Sequence, residues 1–89
     1  MSDGKASRSL TMRFERATKR AFELPTRPSN EKLLEMYALY KQANDGDCEG
    51  KPRGGLRERA KWKAWKSVAG TTEADAMERY CEIVDTLMG

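Results

Sequence analysis

Residues 29–46 read SNEKLLEMYALYKQANDG, and this stretch decides the class of fold. Leu33, Met36, Tyr37, Tyr40 and Ala43 recur at the three- and four-residue spacing of one helix face. Ser29 or Asn30 can cap the start, and Glu31 places a carboxylate near the positive end of the helix. Asn44-Asp45-Gly46-Asp47 is a turn cluster that stops it.

The same period extends outward in both directions. Upstream, Leu10, Phe14, Ala17, Ala21 and Leu24 are spaced 4, 3, 4 and 3 apart, the stripe of an amphipathic helix that Pro25 ends. The polar segment 1–9 before it is expected to be flexible, leaving residues 10–89 as a single domain. Downstream, Cys48 to Gly55 holds three glycines and a proline and reads as a loop, which makes an exposed Cys48 the expectation. A third helix is predicted from Leu56 to Val68, stopped by Gly70, with at least one of Trp62 and Trp65 in the core. Thr72 and Asp75 form a capping pattern ahead of a broad apolar stripe running from Ala76 to Met88. No segment alternates with the period of a strand, so the predicted class is all-α, with four helices on short connections.

Charge is segregated along the chain. Residues 1–28 carry 7 cations and 3 anions, residues 29–50 carry 2 and 5, residues 51–70 carry 7 and 1, and residues 71–89 carry 1 and 5. The net +3 therefore conceals a +6 segment, which points to an anionic partner. With no histidine in the chain, imidazole acid–base catalysis, His-activated nucleophiles and His-containing metal sites are excluded. Cys48 and Cys81 are too few for a four-ligand zinc site. Asp45, Asp47 and Glu49 lack the glycine and terminal glutamate spacing of a calcium loop, so no metal is expected. Met1 to Leu10 has no apolar stretch of the secretory kind and no apolar run is long enough to span a bilayer. The expectation is a cytoplasmic, monomeric protein with two free thiols and at most transient membrane contact.

Tyr37, Tyr40 and Lys41 share a helix face, where two phenols and an ammonium could stack a flat ring and pair with a phosphate. Spacing alone favours one or both tyrosines in the core and a solvated lysine. Lys61 with Trp62 and Trp65 repeats the pattern on the third helix, with the same two readings. Tyr80 falls within the last apolar stripe and needs a partner for its hydroxyl if buried. No catalytic constellation is present.

Taken together, these blocks resemble the acyl-CoA-binding protein family. The strings that carry the likeness are Tyr37-Ala38-Leu39-Tyr40-Lys41-Gln42-Ala43 with Gly46-Asp47, Ala60-Lys61-Trp62-Lys63-Ala64-Trp65, Gly70-Thr71, and Asp75-Ala76-Met77 through Tyr80. The match runs over about residues 12–88. The resemblance implies a four-helix up-down bundle forming an open bowl that holds a fatty acyl-CoA thioester without chemistry on it and without a cofactor. It places Tyr37, Tyr40, Lys41, Lys61 and Tyr80 at the ligand contacts. Thr18 stands where the family has a small apolar residue near the ligand, and Leu34 joins it where packing sets the preferred chain length. Phe22 replaces a lysine that many members contribute to the polar half of the ligand.

The implied ligand joins a polyanionic head to an apolar tail. Lys41 and Lys61 are expected on the 3′-phosphate and Tyr40 on the adenine, with the tail along Met36 and Leu33. The chief rival is a small basic helical nucleic-acid-binding module, in which the +6 segment pairs with phosphates and Trp62 or Trp65 stacks bases. Its acidic second and fourth quarters count against it.

Overall fold

The computed structural model describes residues 5–89. Four α-helices account for most of them: α1 is Arg8–Arg20, α2 Asn30–Asp45, α3 Leu56–Ser67 and α4 Glu73–Met88, with one 3-10 turn at Ala21–Glu23. No described residue lies in a strand.

Three helices start on hydroxyl caps. Ser7 Oγ accepts from Leu10 N, Ser29 Oγ from Lys32 N and Thr72 Oγ1 from Asp75 N, each at 3.1 Å. Each such cap satisfies a backbone donor the helix cannot and is worth about 1 kcal/mol. The cap at Ser7 explains why α1 begins at Arg8 rather than Leu10, so part of the segment expected to be flexible is helical; residues 1–4 lie outside the described residues. At the other end α1 tightens into the 3-10 turn before Pro25 instead of continuing to Leu24. Helix α2 stops as predicted, at Gly46 with φ 81°.

Helix α2 packs against both α3 and α4, and α1 packs against α4, giving the spatial order α1-α4-α2-α3. The result is a slab of 37 × 36 × 15 Å. Its shortest dimension fits about two packed layers of helices. The buried core is confined to the α1–α4–α2 seam. Phe14 and Ala17 meet Met36, Leu39 and Ala43 there, together with Ala76, Met77, Tyr80, Cys81 and Val84. Leu39 and Val84 are fully buried. Half-exposed ion pairs from Arg13 and Arg20 to Asp85, at 3.1 and 3.6 Å, join α1 to α4 at the edge.

Three expectations change. Neither tryptophan is fully buried, because α3 packs chiefly against α2 and has no buried residue at all. Cys48 is buried rather than exposed. Met36 is buried in the core cluster rather than exposed along the groove. Both thiols are free, and burial pushes that of Cys81 above its ordinary value.

Leu39 sits where α2 meets the rest of the core. Leu39→Ala is expected to cost about 2–5 kcal/mol in urea-induced unfolding followed by circular dichroism. A loss below 1 kcal/mol would mean that the slab collapses onto the missing side chain.

Candidate functional site

The face between α2 and α3 is built by two kinds of residue. A groove of about 480 Å³ has Leu33 and Leu34 of α2 and Leu56 and Ala60 of α3 as its apolar part. Arg27, Arg57, Lys61 and Tyr37 border it. Leu56 is 89% exposed, so a large aliphatic side chain stands in water at the groove beside the cations. Covering it would recover most of the roughly 1.5–3 kcal/mol that burial of such a side chain provides.

Next to the groove the two helices interlock through cations and rings. Lys61 Nζ of α3 lies 5.4 Å from the centre of the Tyr37 ring of α2, and Lys41 Nζ of α2 lies 4.9 Å from the Trp65 ring of α3. Tyr37 and Lys41 are four residues apart, as are Lys61 and Trp65, so the contacts form two rungs one helical turn apart. Each rung brings an ammonium to an aromatic face. Lys41 also pairs with Asp45 Oδ2 at 2.6 Å, and that contact holds its pKa above the usual lysine value.

A hydrogen-bonded knot fixes this arrangement at the end of α2. The buried Gln42 amide donates to Asp47 Oδ1 at 2.7 Å and to the Thr71 carbonyl at 2.9 Å. The same Asp47 oxygen accepts from Gly70 N at 2.8 Å. One residue before, the Gly46 carbonyl accepts from Trp65 Nε1 at 2.8 Å, which anchors the ring under Lys41. The hydrogen bonds from Gly70 and then Gln42 hold the Asp47 carboxyl below the usual carboxylate range. The depression beside the knot, about 440 Å³ lined by Gln42, Asp47, Gly70 and Thr71, is more polar than apolar and has no large aliphatic side chain in its lining.

Of the residues predicted from sequence, Tyr37, Leu34 and Lys61 line the groove and Lys41 stands on the next rung. Tyr40 and Tyr80 are elsewhere, in an aromatic cluster with Phe14. Their rings lie 6.0 and 5.2 Å from Phe14 and 6.3 Å from each other. Tyr40 is 42% exposed, whereas Tyr80 is buried, which raises its phenol pKa. Thr18 is on α1, where its hydroxyl donates to the Glu15 carbonyl at 2.7 Å; it does not line the groove. Sequence reasoning missed Arg27, Leu56 and Arg57. Arg57 was accessible, because it precedes Lys61 by four residues and so shares its helix face.

The family model for acyl-CoA-binding protein, described as "Acyl CoA binding protein", matches residues 11–84. The chain is 44% identical over 77 residues to the acyl-CoA-binding protein of Saccharomyces cerevisiae, covering 84% of this chain and 88% of that one. It is 39% identical over 83 residues to an acyl-CoA-binding protein homolog of Manduca sexta, covering 90% and 92% of the two chains. The crystal structure of Oryza sativa acyl-CoA-binding protein 2 superposes with a TM-score of 0.84 at 40% identity, over 89% of this chain and 90% of that one. The solution structure of the yeast protein superposes at 0.66 with 44% identity, over 84% and 90%. The fold and the site thus define a small all-α binding protein. The chain belongs to the acyl-CoA-binding protein family.

Asp47 has a folded-state pKa below its unfolded value, so its carboxylate stabilises the fold fully above about pH 4. That contribution is lost as pH falls through the folded-state pKa. The stability gap between the wild type and Asp47→Asn, measured by urea unfolding across pH, is expected to be widest near neutrality and to close on acidification below that point. A gap independent of pH would show that the charge of Asp47 contributes nothing.

Proposed function

We infer that this protein binds fatty acyl-CoA esters of medium to long chain and carries them without altering the thioester. One observation carries the reading: an apolar groove bordered by Arg27, Arg57 and Lys61 adjoins the two lysine–aromatic rungs, so one surface suits both a polyanion and a hydrocarbon. In this reading Lys41 and Lys61 neutralise the 3′-phosphate, Tyr37 supports it and Tyr40 presents its exposed ring to the adenine. The tail lies over Leu33, Leu34, Leu56 and Ala60. Tyr80 and Thr18, on α4 and α1 and outside the groove, are ligand contacts on the strength of the family resemblance alone.

Energetics divide the work between the two halves. A charge-assisted hydrogen bond to a phosphate is worth about 1.5–3 kcal/mol, and each buried methylene about 0.8 kcal/mol. The head therefore selects the class of ligand, and the tail sets most of the affinity. Non-catalytic carriage fits the groove lining, which has no thiol, carboxylate or imidazole to attack or protonate a thioester. Nucleic-acid binding gains no support, because Trp65 is tied through its indole N–H to Gly46 and engaged by Lys41. Two buried free thiols suit a reducing compartment such as the cytoplasm. No helix among the described residues is long and apolar enough to cross a membrane. A monomer is sufficient for this role, since every proposed contact comes from one chain.

Isothermal titration calorimetry tests the division. Palmitoyl-CoA is expected to bind orders of magnitude more tightly than free CoA, and equal affinities would refute burial of the tail. Lys61→Ala is expected to weaken palmitoyl-CoA binding by about 1.5–3 kcal/mol and to reduce its salt dependence. An unchanged affinity would remove Lys61 from the site.

A further inference from the structure

The two lysines of the rungs are not equally engaged. Lys61 Nζ lies 3.9 Å from Glu58 Oε2, beyond hydrogen-bonding distance, whereas Lys41 Nζ meets Asp45 Oδ2 at 2.6 Å. Asp45 is the last residue of α2, at the negative end of the helix dipole, and no basic residue in the last turn offsets it. A carboxylate there is unfavourable for the helix itself. Among the described residues its one partner is Lys41. The neighbouring Asn44 turns the other way, donating to the Tyr40 carbonyl at 2.8 Å. The helix dipole therefore gives no reason for an acidic residue at this position, but its i,i+4 pairing with Lys41 does.

We propose that Asp45 is a built-in competitor for the 3′-phosphate of the ligand: it pairs with Lys41, offsets part of the positive charge that ammonium would present to a phosphate, and so lowers the preference of the site for ligands bearing the 3′-phosphate. The proposal rests on the acyl-CoA reading and adds to it a residue that sets discrimination rather than contact. Two effects act in the same direction. The ammonium has three donors, and Asp45 takes one in a short, charge-assisted contact, leaving fewer donors and less net positive charge for a phosphate. A carboxylate left beside the bound phosphate also repels it. The hydrocarbon tail is neutral and is indifferent to both effects. Exposure limits the size of the effect, because the Asp45 side chain is 49% and the Lys41 side chain 30% exposed, so water and salt screen the charges.

The test compares two ligands that differ only in the 3′-phosphate, palmitoyl-CoA and palmitoyl-3′-dephospho-CoA, on the wild type and on Asp45→Asn. The substitution keeps the shape of the side chain and removes its charge. The variant is expected to bind palmitoyl-CoA about 3- to 10-fold more tightly, with its affinity for the dephospho analogue changed less than about 2-fold. The gain is expected to vanish in the Lys41→Met background. Equal tightening toward both ligands, no tightening, or a gain that survives without Lys41 would each overturn the proposal. A thermal melt without ligand shows that the variant folds, and Asp45→Ser provides the same removal of charge by a second route. If the wild type binds palmitoyl-CoA and Asp45→Asn gains nothing, the competitor role alone fails. If the wild type binds neither ligand, the acyl-CoA reading fails and the competitor role falls with it.

Discussion

The amide of Gln42 holds the molecule together at the point where its helices diverge. It is buried, and its two hydrogen bonds run to Asp47 and to the Thr71 carbonyl, so one side chain of α2 ties the loop after its own helix to the turn before α4. Asp47 completes the tie through Gly70, and Trp65 adds α3 through the Gly46 carbonyl. The Gln42 carbonyl oxygen is buried without a hydrogen-bond partner, so the tie rests on the amide donors, and breaking either bond would leave a further polar group partly desolvated. The positions of Lys41 and Trp65 depend on it, since both flank the knot in sequence and face each other across it.

Thinness explains why so few interactions have this much influence. A slab with one buried seam cannot hold α3 by core packing, and α3 has no buried residue. Its attachment is the half-buried tryptophan pair, the indole hydrogen bond and the two cation–ring contacts to α2. The groups assigned to ligand binding are thus also groups that dock the helix. A ligand spanning α2 and α3 would stabilise the fold by mass action and specifically secure its least buried helix.

The helices, their stops and most of the core could be read from sequence because apolar period, hydroxyl caps and turn glycines are local signals. Leu39 escaped because α2 has two apolar faces. The stripe through Tyr37 and Tyr40 masked the one through Met36, Leu39 and Ala43 that meets the core. The burial of Cys48 and the half-exposure of Trp62 and Trp65 depend on which helices touch, and no spacing rule encodes that. At the site, the blocks that resemble a known family marked Tyr37, Lys41 and Lys61. The ring that each lysine faces, and the carboxylate that Lys41 meets, follow only once α3 is set against α2. Arg27 lies between two prolines in a connection, where no period singles out one cation from another.

The spatial order α1-α4-α2-α3 gives the segregated charges a structural meaning. The two acidic quarters of the chain supply the inner helices α4 and α2, and the two basic quarters supply the outer helices α1 and α3. Each outer helix therefore packs on a partner from a segment of opposite sign, visibly so where Arg13 and Arg20 reach Asp85. Part of the basic charge is answered within the fold, and the +6 of residues 51–70 overstates what is available to a ligand. What remains is selected by geometry: Arg57 and Lys61 share the face of α3 that borders the apolar groove, and Arg27 joins them from the connection before α2. Cations beside a hydrocarbon surface favour an amphiphilic anion over a uniformly charged polymer, because only the amphiphile can use both. On the acyl-CoA reading, location relative to Leu33, Leu34 and Leu56, more than the amount of positive charge, would make this face selective.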